Sequence, residues 1–166
     1  IAVICPIYLY DTQTSQKMID DFHAECDKYL EKIDSSMTEF EKAVVLHDEL
    51  VLNCKYVDDN DSLYVSAHES IVNGNANCQG YAEAYSYLLA RAGVHSEIVE
   101  SSAMYHLWNK VRINGVYYNV DLTWGDPMSD KKGHVSHKYF MLSDSAISSG
   151  NDEISAHYGF DYAYYK

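Results

Sequence analysis

Asn75-Ala76-Asn77-Cys78-Gln79-Gly80-Tyr81-Ala82-Glu83-Ala84-Tyr85 decides how the rest of this chain is read. A run of small polar residues leads into a helical pattern that continues to Ala92, with Tyr81, Ala82, Tyr85, Leu88, Leu89 and Ala92 on one face. Gly93 supplies the stop. The spacing therefore predicts a helix from Asn77 or Cys78 to Ala92, with a thiol in its first turn. Gly80, Ala82 and Ala84 are small enough to let strands approach closely, so the helix is expected to be central and buried.

Three strand patterns follow: Val94 to Glu100, Tyr105 to Ile113 and Val116 to Thr123. The last two flank Asn114-Gly115, a pair that accepts the left-handed backbone of a type I′ hairpin turn. A two-residue loop there pairs Ile113 with Val116, Arg112 with Tyr117, Lys110 with Asn119, Trp108 with Asp121 and His106 with Thr123. Alternation then puts His106, Trp108, Asp121 and Thr123 on one face. His106 and Asp121 become diagonal neighbours within reach of each other.

An imidazole held by a carboxylate, beside a thiol at a helix start, has a specific chemistry. The carboxylate fixes the ring's tautomer and stabilises the imidazolium. The helix N-terminus and the imidazolium both favour the thiolate at Cys78. First-turn amides can face a tetrahedral oxyanion. Attack on an acyl carbon gives a thioester, released by water or an amine. Singly, each residue has a plainer role: an inert core thiol, a strand-end cap, a turn aspartate. Together, with polar or small Asn77, Gln79 and Gly80 beside the thiol, they read as a triad.

Upstream, residues 1–10 alternate as a strand, which Pro6 would confine to a sheet edge. Thr14 or Ser15 is expected to cap a helix with Met18, Ile19, Phe22, Cys26, Tyr29, Leu30 and Ile33 on its apolar stripe. Thr38-Glu39-Phe40-Glu41 is a capping box for a second helix. That helix carries Phe40, Ala43, Val44, His47, Leu50, Val51 and Cys54 on one side, and His47 reads as a satisfied core histidine. Residues 55–74 read as a solvated loop; the run Asp58-Asp59-Asn60-Asp61 lacks the glycine and glutamate spacing of a calcium loop. Past Trp124-Gly125-Asp126-Pro127 the chain loops through Lys131-Lys132-Gly133 to a strand-like Lys138 to Leu142 and a tyrosine-rich end.

The length of 166 residues suits one domain with a real core, and no internal repeat or linker divides it. With a net charge of −13 the chain lacks the basic clusters that nucleic acid or an anionic membrane surface requires. No apolar run approaches the roughly 18 residues of a membrane span. Ile1 to Pro6 has neither an initiator Met nor a basic segment, so we read the chain as a piece of a longer protein whose other domains are further partners. Cys5, Cys26, Cys54 and Cys78 show no C-x-x-C pair and no ligand spacing with the histidines, which gives no zinc site and no disulfide framework.

The same residues resemble a known family. Cys78-Gln79-Gly80-Tyr81-Ala82 is similar to the nucleophile segment of the transglutaminase-like superfamily. His106-Leu107-Trp108-Asn109 with Asn114-Gly115, and Tyr118-x-x-Asp121-x-Thr123-Trp124-x-Asp126-Pro127, resemble its His and Asp segments. The likeness runs from Phe40-Glu41-Lys42-Ala43 and His47-Asp48 to Tyr139-Phe140-Met141-Leu142-Ser143-Asp144, about residues 38–144. It implies an α+β, papain-like fold: N-terminal helices and a central helix carrying the nucleophile, packed on an antiparallel sheet carrying His and Asp. By the resemblance Cys78 is the nucleophile, His106 the general base and acid, and Asp121 the orienting carboxylate, with no cofactor. Trp108, Tyr64 and His68 are expected on the substrate side, Tyr64 or His68 as a second oxyanion donor. Leu107 departs from the alanine usual in bacterial relatives.

These readings give a cysteine-dependent acyl-transfer enzyme, first a peptidase or amidase on a protein or cell-wall peptide. The alternatives are a protein-glutamine transglutaminase and, from another class, a protein- or glycan-binding module on the same fold. Glycan-releasing amidases of this fold carry a zinc-binding C-x-x-C pair, absent here. Resemblance to bacterial surface and secreted relatives suggests an extracellular or cell-surface location.

Overall fold

The computed structural model describes residues 10–57, 66–126, 133–151 and 154–160. The strand expected over 1–10, apart from Tyr10, lies outside these residues, as do Cys5, Asp58 to Asp61, Tyr64, Pro127, Lys131 and Lys132.

Helix α1 (Thr12–Leu30) starts earlier than Thr14. The cap is Asp11, whose carboxylate accepts the Thr14 amide at 2.7 Å, because a short acidic side chain reaches the same orphan amides as a hydroxyl. Helix α2 (Glu39–Asn53) has the expected capping box, with Glu41 N–H donating to Thr38 Oγ1 at 3.2 Å and Thr38 N–H to Glu41 Oε2 at 2.7 Å. It buries Ala43, Leu46, His47, Leu50 and Val51, whereas Phe40, expected on that stripe, lies at the exposed end of the helix.

The stretch 55–74 is more ordered than its polarity implies. Strand β1 (Lys55–Tyr56) pairs in parallel with β2 (Asn75–Ala76), and a π-helical turn spans Glu69–Asn73. Strands of two residues carry no periodicity, so composition alone reads them as loop. Gly74 closes the turn at φ 70°, and a Cβ there would stand 2.8 Å from the Asn53 carbonyl oxygen.

Helix α3 (Cys78–Arg91) is the centre of the molecule. Leu88 and Leu89 are fully buried, each contributing roughly 1.5–3 kcal/mol by leaving water. On one side the Tyr85 hydroxyl donates to the Ala43 carbonyl of α2 at 2.8 Å. On the other, Asn109 Nδ2 reaches the Ala82 carbonyl at 2.9 Å, a contact that the small Ala82 permits. Gly93, at φ 79°, ends the helix as expected.

Strands β3 (Ser96–Ser101), β4 (His106–Ile113) and β5 (Val116–Val120) form an antiparallel sheet in the order β3-β4-β5. The register is the one the turn dictates, from Ile113↔Val116 through Lys110↔Asn119 to Asn109↔Val120. Asn114 and Gly115 have φ 50° and 85°, as a type I′ turn needs. Beyond Val120 the expectation fails: β5 stops, and a short helix α4 (Leu122–Gly125) takes over, so Thr123 is helical and does not pair with His106. The expected strand over 138–142 is also not one. Met141 has φ 55°, and the segment touches β5 only through the Asn119↔Leu142 bridge before α5 (Asp144–Ser149). The fold is α+β, as read from the sequence. No helix among the described residues is long and apolar enough to cross a membrane.

Candidate active site

Asn77 builds the start of α3. Its extended backbone leaves the helix frame and its Oδ1 accepts the Gly80 amide at 3.0 Å. That cap leaves the Gln79 amide free to point at the Cys78 sulfur, which is partly exposed. The Leu107 amide of β4 also points at it. Leu107, the family departure, thus meets the site through its backbone.

His106 opens β4 directly after Tyr105, whose φ of 51° turns the chain sharply. Its Nε2 lies 2.7 Å from Asp121 Oδ2, so its hydrogen bond to Cys78 uses the remaining ring nitrogen, Nδ1. Asp121 reaches the ring from where β5 ends, not from inside the strand. As N-cap of α4 it accepts the Trp124 amide on Oδ1 at 3.1 Å, and its own amide donates to the Tyr139 carbonyl at 2.9 Å. One carboxylate thereby starts a helix and holds the imidazole.

The electrostatics follow from these contacts. Burial pushes the Cys78 thiol up, but the His106 hydrogen bond and charge and the Leu107 and Gln79 amides outweigh it, and the thiol lies below its ordinary value. Burial pushes His106 down; its hydrogen bonds to Asp121 and Cys78 and their charges win, raising it to about 9. Burial also pushes Asp121 up, yet hydrogen bonds from His106 and His157 hold it below the usual carboxylate range. By contrast burial lifts Cys26 to about 11 and Cys54 to about 12. Iodoacetamide at pH 7 is therefore expected to modify Cys78 far faster than Cys26 or Cys54, read by peptide mass spectrometry over time. Equal slow labelling of these three would contradict the ion pair.

His157 is a site residue that the sequence did not disclose. It is fully buried, and its Nε2 lies 2.8 Å from the same Asp121 Oδ2. It lies 36 residues beyond Asp121 in a segment without helical or strand periodicity, which is why pattern reading missed it.

Two of the three expected substrate-side residues lie in other surroundings. Trp108 is 1% exposed and donates its indole N–H to Asn119 Oδ1 at 3.0 Å, so it backs His106 and lines no cleft. A buried indole needs an acceptor, and the neighbouring strand supplies one. His68 stacks on Phe22 of α1 at 6.1 Å, with its Nε2 buried and without a hydrogen-bond partner. Tyr64 lies outside the described residues. Beside the triad, a cavity of about 300 Å³ is lined by Tyr56, Thr123, Trp124, Asp126, Tyr139 and Ser155. Trp124 links the two, stacking on His106 at 5.3 Å.

Folding also gathers side chains whose sequence spacing suggested no cluster. His47, Asp48 and His137 bring their ligand-type atoms within 4.8 Å of one another. Asp48 Oδ1 takes His47 Nδ1 at 2.8 Å and His137 Nε2 at 2.6 Å, and these hydrogen bonds account for the grouping. His47 is a core histidine as expected, although its Nε2 is buried without a partner.

The sequence profile described as "Transglutaminase-like superfamily" matches residues 27–122, which include Cys78, His106 and Asp121. The chain belongs to the transglutaminase-like superfamily. The family is one of cysteine-based enzymes. Two solved structures share this transglutaminase-like fold. One is a TGase, 14% identical with a TM-score of 0.53, the match covering 69% of this chain and 34% of that one. The other is a candidate cysteine protease from Cytophaga hutchinsonii, 15% identical with a TM-score of 0.50, covering 76% and 47%. The chain thus spans about a third of the first and about half of the second, and at these identities the likeness is one of fold. No curated protein matches the sequence.

Proposed function

We propose that this chain is a cysteine-dependent amide hydrolase, a peptidase or amidase, with Cys78 as nucleophile, His106 as general base and acid and Asp121 as the orienting carboxylate. The observation that carries the reading is the continuous relay from the Cys78 sulfur through both nitrogens of His106 to Asp121 Oδ2. The thiolate attacks the amide carbon, and the carbon–nitrogen bond breaks as His106 gives its proton to the departing amine. Water then attacks the thioester, His106 takes a proton from it, and the carboxylic product leaves as the thiol is restored. The Gln79 and Leu107 amides already face the sulfur and are the proposed donors for the oxyanion.

A protein or cell-wall peptide is the proposed substrate and the cell exterior the proposed location. Water as acceptor needs no site of its own, whereas amine transfer needs a surface that holds a lysine against the thioester. Incubating a glutamine-containing protein with a fluorescent primary amine separates the two. The expected result is release of acid product with little dye on the protein. Dye incorporation without net hydrolysis would make the chain a transglutaminase. A complete relay also argues against a binding module, which has no use for a depressed thiol.

A further inference from the structure

Resting on that reading, we propose that His157 is a positioning residue of the site, a second histidine that holds Asp121 in place and ionised while His106 changes its charge. Asp121 Oδ2 accepts from two imidazoles, His106 Nε2 at 2.7 Å and His157 Nε2 at 2.8 Å, while Oδ1 accepts the Trp124 amide. Asp121 is 1% exposed and water cannot substitute for a missing donor. A buried carboxylate is costly unless its oxygens are fully hydrogen-bonded. During turnover His106 passes its Nδ1 proton to a leaving group, and its pull on Asp121 weakens as its charge goes. His157 takes no part in that transfer and keeps its bond throughout.

The surroundings fix His157 tightly enough for this task. Its ring lies 4.3 Å from Trp124 and 4.9 Å from Trp108, the two indoles that also stack on His106. Its amide donates to the Ile147 carbonyl of α5 at 2.8 Å, and Nδ1 faces the Ser155 carbonyl at 3.4 Å. The flanking chain is anchored on both sides: Ser155 N–H donates to the Tyr139 hydroxyl at 2.8 Å, and Ser101 Oγ donates to the Tyr158 carbonyl at 2.6 Å. Gly159, at φ 65°, passes so near β3 and the turn after it that a Cβ would stand 2.9 Å from Ala103 Cβ and 3.2 Å from Ser101 Oγ. The titratable groups acting on Asp121 are His106 from β4 and His157 from this segment, while His47 of α2 lies within the field of Asp121.

The test compares the full chain with His157→Gln, which keeps a donor, and His157→Leu, which does not. The readout is the pH profile of Cys78 alkylation by iodoacetamide, with the fold of each variant checked by thermal melting. In His157→Leu the rate at pH 6 should fall about tenfold, the scale of one charge-assisted hydrogen bond, and the acid limb should move to higher pH because the carboxylate is easier to protonate. His157→Gln should restore most of both. A wild-type profile in His157→Leu, or equal loss in the two variants, overturns the proposal. Should His157→Leu not fold, ¹⁵N spectra of the wild-type histidine rings decide. A hydrogen on His157 Nε2 at pH 7 supports the proposal, and a bare Nε2 overturns it. Failure of the parent reading looks different: Cys78 would then show no selective labelling in the wild type.

Discussion

Cys78→Ala is expected to lower amide turnover by about 10⁴-fold or more, because removing a nucleophile leaves only the contribution of binding and oxyanion donors. The assay is a panel of amide substrates run with wild type and variant at equal concentration. The fold should survive, since the residue is partly exposed and its helix is held by the Asn77 cap and by Tyr81, Tyr85, Leu88 and Leu89. Unchanged melting with lost turnover is therefore the predicted pair of results. Residual turnover within about tenfold of wild type would remove Cys78 from the chemistry, since one charge-assisted contact alone accounts for that much.

Asp121→Asn should cost about as much, on the order of 10⁴-fold, through the histidine and not the sulfur. The isosteric amide cannot satisfy its surroundings either way round. With its oxygen toward His106 and His157, its NH₂ meets the Trp124 amide, donor against donor, and the α4 cap is lost at about 1 kcal/mol. Reversed, the NH₂ faces two ring nitrogens that both donate. The pH dependence separates this variant from Cys78→Ala. In the wild type the proton that His106 gains is largely the one Cys78 gives up, so the pair shows little net pH dependence and the measurement is made in the Cys78→Ala background. There Asp121 still holds His106 above its unfolded value, so the ring's stabilising contribution is complete below roughly pH 6.5 and is lost as pH rises through the folded value. Urea denaturation midpoints of Cys78→Ala should therefore decline above roughly pH 6.5, and adding Asp121→Asn should remove the decline. An equal decline with and without the carboxylate would show that Asp121 does not hold the imidazolium.

How much of this was legible in the sequence depends on how local the cause is. Asn114-Gly115 fixes its own backbone, and the register that follows is right as far as Asn109↔Val120. The pattern alone extends the strand through Thr123, because Asp121, Leu122 and Thr123 continue the alternation. What stops it is a capping bond from the Trp124 amide to the Asp121 carboxylate, a three-residue signal that competes with a strand pattern and wins here. The contact between His106 and Asp121 forms all the same, since a side chain leaving the strand end still reaches the diagonal position. Alternation puts Trp108 on the right face but does not say what covers that face. Here Phe160 and His157 cover it, both from a segment with no periodicity of its own. His157 could be found only in three dimensions.

The near-parallel stacking of Trp108 and Trp124 on His106, at 23° and 20° to its plane, has a kinetic consequence. A ring against two indoles and bonded at Nε2 to a buried carboxylate does not flip during a turnover. In the proposed hydrolysis one nitrogen, Nδ1, then serves the departing amine and the arriving water in succession. The two cannot occupy that place together, so the first product has to vacate before the second reactant binds. The expected signature is that added amine product slows net hydrolysis by returning the acyl-enzyme to the amide.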